Sequence, residues 1–150
     1  MFQKILVPTD GSDHAERAVA VASELAAKYD AELIVLHVME EIGTSRVPVE
    51  LQSYAKIEHV DVSERDMLEA VANQIVGRAE SQAREAGVEA VSHDLAYGSP
   101  GPGIVEYAEK HGVDLIVMGR RGLGRVADLF LGSASHRVTQ LADCACLTVK

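Results

Sequence analysis

Three short stretches of this chain are almost continuously apolar: "KILVPT" at residues 4–9, "ELIVLHV" at 32–38 and "DLIVM" at 114–118. A strand with one wet face alternates apolar and polar residues. A strand covered on both faces reads instead as an unbroken apolar run, and such strands occur in parallel sheets with helices on either side. The three runs are therefore expected to be central strands of a parallel sheet.

The segments between them carry the helical period. Ala15, Ala18, Val19, Ala22, Leu25, Ala26 and Tyr29 recur at three- and four-residue steps, with Ser12 or Asp13 as cap and Glu16 placed to complete a capping box. A longer stripe, Leu68, Val71, Ile75, Ala79 and Ala83, predicts a helix over 64–86, capped by Ser63 and stopped by Gly87. A third strand is expected near 89–97. A third helix follows, with Pro102 in its first turn, Ile104, Val105 and Ala108 on its apolar face, and His111-Gly112 at its end. Ser133 or a neighbour opens a last helix carrying Val138 and Leu141, and "ACLTV" at 145–149 supplies a fifth strand. The alternation β-α-β-α-β-α-β-α-β predicts a three-layer α/β domain, and 150 residues suit one domain, 1–150. The long irregular stretch 40–62 exceeds an ordinary connection and is expected to act as a flap over a site.

Charge restricts the partners. The formal charge is −9, which repels phosphate backbones over most of the surface, and four Tyr and two Phe are too few for a base-stacking platform, so nucleic acid is not an expected partner. No apolar run reaches the length of a membrane span, and "MFQKILVPTDGS" enters a strand without the basic and cleavage regions of a signal peptide. The chain is expected to stay in the cytosol, with no membrane partner. Cys144 and Cys146, one residue apart, do not suit a disulfide and read as packing residues. His37 reads as a hydrogen-bonded core histidine, and His136 as solvated.

Against that acidic background, "GRRGLGRVADLFLGS" at 119–133 stands apart. Residues 119–137 hold Arg120, Arg121, Arg125 and Arg137 against Asp128 alone, a local charge of +3. Glycines let backbone N–H groups approach an anion, arginines attract it, and the helix start at Ser133 adds the positive end of its dipole. In an open parallel sheet, ligands bind beyond the carboxyl ends of the strands where the winding reverses. If one half winds outward from strand one and the other from strand four, Asp10-Gly11 and the glycine loop share a crevice. A carboxylate there suits ribose hydroxyls or a base N–H, and Val38 and Met118 offer apolar surface to a flat ring. Together these residues describe a nucleotide site. Taken singly, Asp10 is explained as a helix cap, Gly119 and Gly122 as turn residues, and the arginines as a solvated loop face.

The chain lacks the P-loop pattern G-x-x-x-x-G-K-[ST]. Gly122, Gly124 and Ala127 spell G-x-G-x-x-A, but that fingerprint opens a βαβ unit ending in an acid, and here only one strand follows. The spacing Gly119, two residues, Gly122, nine residues, Gly132-Ser133 resembles the G-2x-G-9x-G-[ST] pattern of the ATP-binding branch of the universal stress protein (UspA-like) family. "KILVPTDGS", "VDLIVMG" and "FLGSASHRV" are similar to that family's other marked stretches, in the same order and over essentially the whole chain. The resemblance implies a Rossmann-like α/β/α fold of the adenine nucleotide alpha hydrolase type, with a five-stranded parallel sheet of order 3-2-1-4-5. It also implies a small cytosolic regulator of stress response, homodimeric through its last strand. It places adenine and ribose near Pro8, Thr9, Asp10 and Val38. Phosphates of ATP, AMP or another adenine nucleotide would lie along Met118, Gly119, Arg120, Arg121, Gly122, Leu123, Gly124, Arg125, Gly132, Ser133, Ala134 and Ser135. Mg²⁺ or Mn²⁺ would bind through those phosphates. Where the family usually has proline then valine, this chain has Cys144-Ala145-Cys146. The only acid beside the loop is Asp128, with no evident general base, so a switch is expected rather than an enzyme. The alternatives are a slow ATP hydrolase or nucleotidyl enzyme on the same fold, and a nucleotide-free dimeric interaction module.

Overall fold

The computed structural model describes residues 1–40, 64–122 and 132–150. In chain order these form β1 (Lys4–Pro8), α1 (Asp13–Tyr29), β2 (Glu32–Met39), α2 (Glu64–Glu85), β3 (Val91–Tyr97), α3 (Pro100–His111), β4 (Leu115–Gly119), α4 (Ser133–Leu141) and β5 (Ala145–Val149). The strands make one parallel sheet in the order β3-β2-β1-β4-β5, as expected. The three apolar runs are its central strands. The winding reverses between β1 and β4, which pair Ile5 with Leu115 and Leu6 with Ile116.

The period of two explains why these runs are apolar throughout. On one face Ile5, Val7, Leu33, Val35, Leu115 and Val117 pack against Ala18, Val19, Ala22 and Ala26 of α1 and Val76, Ala79 and Ala83 of α2. On the other, Leu6, Ile34, Leu36, Ile116 and Met118 pack against Ile104, Val105 and Ala108 of α3 and Val138 of α4. Every second residue faces one helical layer and its neighbour faces the other. Burying one such side chain stabilises the fold by roughly 1.5–3 kcal/mol, so a polar residue at either phase is costly.

The element ends follow local chemistry. Ser12 is the N-cap of α1, its hydroxyl accepting from the Ala15 N–H at 3.3 Å. That choice leaves Glu16 one residue beyond the reach of a capping box, and it pairs instead with Arg78 of α2 at 3.9 Å. Gly87 (φ +90°) follows the end of α2, and Gly112 (φ +64°) caps α3 in the left-handed conformation glycine adopts without strain. Helix α3 begins two residues before Pro102, because Pro100 occupies the first turn behind Ser99. Strand β4 begins one residue later than its apolar run, since Asp114 turns its carboxylate to the N–H groups of Gln3 (2.8 Å) and Lys4 (3.3 Å) at the head of β1. The expected flap at 40–62, beyond Glu40, and the Ser63 cap lie outside the described residues. Among the described residues, no helix is long and apolar enough to cross a membrane.

Candidate functional site

The switch between β1 and β4 brings two loops to one end of the sheet. The first leaves β1 at Pro8. Thr9 is buried, and its N–H donates to the Leu36 carbonyl at 2.8 Å, extending the β1–β2 ladder past the strand. Its own carbonyl accepts from His37 Nδ1 at 2.7 Å, so His37 is hydrogen-bonded as the sequence suggests, though only half-buried. Thr9 Oγ1 accepts from the Gly11 N–H at 3.3 Å, and Asp10 Oδ1 accepts from the Ser12 N–H at 3.0 Å. Gly11 needs its φ of +78° to make this turn, and a Cβ there would lie 3.3 Å from Ile75 of α2. The carboxylate of Asp10 is thus held in a fixed orientation at the mouth of the crevice.

The second loop leaves β4 through Met118 and Gly119, both buried. A Cβ on Gly119 would stand 2.7 Å from the His14 carbonyl carbon and 2.9 Å from the Ala15 nitrogen, so β4 ends against the backbone of the first turn of α1. Beyond it, a Cβ on Gly122 would collide with Asp10 Oδ2. A Cβ on Gly132 would lie 3.2 Å from Arg121 Cα and 3.3 Å from the Arg120 carbonyl. None of these three glycines has a positive φ. They are required for close approach of backbone to neighbour, a different demand from the turn geometry that Gly11 meets.

Three hydrogen bonds fix the base of this loop. Arg120 N–H donates to the Val149 carbonyl (2.6 Å), Gly132 N–H to the Arg120 carbonyl (2.8 Å), and Ser135 Oγ to the Gly119 carbonyl (2.7 Å). Helix α4 starts at Ser133 with Gly132 as N-cap, so the N–H groups of Ser133, Ala134 and Ser135 have no partner within the helix. Ser133 is exposed, Ala134 half-buried and Ser135 buried. Val38 and Met118 share the face covered by α3 and α4, but Met118 is 3% exposed, whereas Val38 keeps part of its surface. Gly103 is a site-border residue the sequence reading missed. Its Cβ would meet Val38 Cγ1 at 3.2 Å, and the available clue was a glycine in the first turn of a helix, "PGPG" at 100–103. Leu123, Gly124, Arg125 and Asp128 lie outside the described residues. Of the remaining expected site residues, Asp10 and Gly122 meet directly, and Gly119 to Gly122 meet Gly132 and Ser135.

At the far edge, Cys144 and Cys146 are free, half-buried thiols that pack against the α3–α4 core, and burial pushes both pKa values up. They are packing residues, held in the thiol form. His136 is exposed.

The sequence model of the universal stress protein family matches residues 1–150. Universal stress protein YxiE of Bacillus subtilis (strain 168) is 37% identical over 150 residues, covering 100% of both chains. Among solved structures, the protein MJ0577, solved to assign its biochemical function, superposes with a TM-score of 0.78 at 29% identity, over 100% of this chain and 96% of that one. A universal stress protein in complex with cAMP superposes with a TM-score of 0.68 at 27% identity, over 99% of this chain and 97% of the other.

Proposed function

The chain belongs to the universal stress protein family, and from that premise we propose that it is a single-domain adenine-nucleotide-binding regulator, with ATP held in the crevice between the β1 and β4 loops. The observation that carries this reading is the contact of Asp10 with Gly122, where the two loops close to the point that a single Cβ would collide with the carboxylate. A cradle of that kind admits backbone N–H groups to a phosphate and leaves a carboxylate for ribose hydroxyls or a base N–H. The cAMP-bound relative supports an adenine nucleotide as the ligand class.

In this reading Pro8, Thr9, Asp10 and Val38 surround the nucleoside. Met118, Gly119 to Arg125 and Gly132 to Ser135 surround the phosphates, with the start of α4 supplying N–H donors. Among the described residues, no group of three or more His, Cys, Asp or Glu could hold a metal ion. In this reading Mg²⁺ or Mn²⁺ enters through the phosphates, with water completing its shell. The protein acts in the cytosol as a homodimer joined through β5, an edge strand that exposes Leu147, as α4 exposes Leu141. It reports nucleotide state rather than turning nucleotide over.

Calorimetry of nucleotide-free protein with ATP and Mg²⁺, paired with phosphate-release assays, tests the proposal. Saturable 1:1 binding per chain is expected, with turnover far below about 1 per second. Absence of binding to ATP, AMP and cAMP alike would leave the interaction module as the better account. Rapid multiple turnover would make the protein an enzyme.

A further inference from the structure

The stretch Gly132-Ser133-Ala134-Ser135 opens α4 with two hydroxyls two residues apart, and they stand in different environments. Ser133 is exposed. Ser135 is 5% exposed, and its Oγ donates to the carbonyl of Gly119 at 2.7 Å. A serine hydroxyl has one proton to donate. A phosphate oxygen accepts and does not donate, so a hydroxyl whose proton lies on a backbone carbonyl has nothing to offer it. We infer that the Ser135 side chain is a positioning group rather than a phosphate ligand: its hydroxyl ties the last residue of β4 to the first turn of α4 and so pre-forms the phosphate cradle, to which Ser135 offers only its backbone N–H. This rests on the nucleotide reading above and divides that site into ligand-facing and scaffold-facing serines.

The position of the bond gives it leverage. Gly119 is the last residue of β4, fixed from below by the backbone of α1, and Ser135 is in the first turn of α4. The Ser135 bond spans 16 residues of sequence, and the Gly132 N–H to Arg120 carbonyl bond lies beside it. Together they clamp the two ends of the glycine loop across its base. Residues 119–122 and the N–H groups of α4 are then held in one relation before any ligand arrives, which removes an ordering cost from binding. Losing the hydroxyl frees that relation and leaves the buried carbonyl of Gly119 without this donor.

The test compares Ser135→Ala, Ser135→Thr and Ser133→Ala with the native chain, by amide hydrogen exchange without nucleotide and by calorimetry with ATP and adenosine. The reporters are the amides of Gly132, bonded to the Arg120 carbonyl in the clamp, and of Arg120, bonded next to it to the Val149 carbonyl. Ser135→Ala is expected to speed exchange at Arg120 and Gly132 in the nucleotide-free protein by about tenfold and to weaken ATP by about tenfold, with adenosine within about twofold. Ser135→Thr, which keeps the donor, is expected to stay within about twofold of native on both readouts. Ser133→Ala should weaken ATP with nucleotide-free exchange unchanged. Weaker ATP binding by Ser135→Ala with unchanged exchange would make Ser135 a direct ligand and overturn the inference. So would faster exchange with an unchanged ratio of ATP to adenosine affinity, the mark of a purely structural serine, or Ser135→Thr behaving like Ser135→Ala. A native chain that fails to bind ATP defeats the nucleotide reading and the cradle with it, whereas the exchange data judge the clamp alone.

Discussion

The two loops that face each other across the crevice are built on opposite plans. Past Thr9, whose backbone is bonded to Leu36 and His37, the loop after β1 is knit by its own neighbours: Gly11 N–H to Thr9 Oγ1, Ser12 N–H to Asp10 Oδ1, and Ala15 N–H to Ser12 Oγ all span two or three residues. The loop after β4 is held by partners far along the chain, with Arg120 bonded to Val149 and Gly119 to Ser135. Gly119, Gly122 and Gly132 keep ordinary backbone angles and are needed because other parts of the molecule come within van der Waals distance. A locally bonded loop keeps its shape wherever the strand leads it. A loop closed by distant partners acquires its shape only when the sheet and α4 have assembled, and it can respond to a ligand or to the edge strand.

That contrast is broken most severely by filling the second loop. Replacing Gly122 and Gly132 together by Val drives one Cβ into Asp10 Oδ2 and sets the other 3.2 Å from Arg121 Cα. ATP affinity should fall by about 100-fold, about 2.7 kcal/mol, with an unchanged far-ultraviolet circular dichroism spectrum. Calorimetry showing native affinity in that variant would remove the crevice from consideration.

A smaller and differently shaped effect is expected at the first loop. Asp10→Ala should weaken ATP and adenosine alike by about tenfold, the loss of a charge-assisted hydrogen bond to the nucleoside. Arg121→Ala, on the phosphate side, should weaken ATP more than adenosine. Parallel titrations of both variants with both ligands check the orientation, and a stronger loss of ATP than of adenosine in Asp10→Ala would reverse it.

The mildest change separates loop stability from binding. Ser12→Ala deletes the N-cap of α1 and leaves the Ala15 N–H without its side-chain acceptor, at a cost of about 1 kcal/mol in denaturant unfolding. Because the loop retains the Asp10 and Thr9 bonds, ATP affinity should stay within about twofold. A large loss of affinity would show that the first loop depends on its cap and is less self-contained than its short-range bonds imply.

The sequence by itself determined which strands are central and that both their faces are covered, because burial on two sides leaves "ILV", "LIVL" and "LIVM" at residues 5–7, 33–36 and 115–118 apolar at both phases. It also determined the caps and stops that depend on a residue's own chemistry, such as Gly87 and Gly112. The pairing of β1 with β4 was legible through winding logic and through the family's glycine spacing. Several details were decided only in three dimensions. Ser12 rather than Asp13 caps α1, which leaves Glu16 to Arg78. Pro100 opens α3 ahead of Pro102, and Asp114 leaves its strand to bind the head of β1. The roles of Gly103 and Ser135 belong to the same class: a glycine that lets α3 approach Val38, and a hydroxyl turned inward to a carbonyl 16 residues away. Local pattern encodes periodicity and turn chemistry, whereas the neighbour met across a fold depends on how the layers stack, and no window of sequence contains both partners.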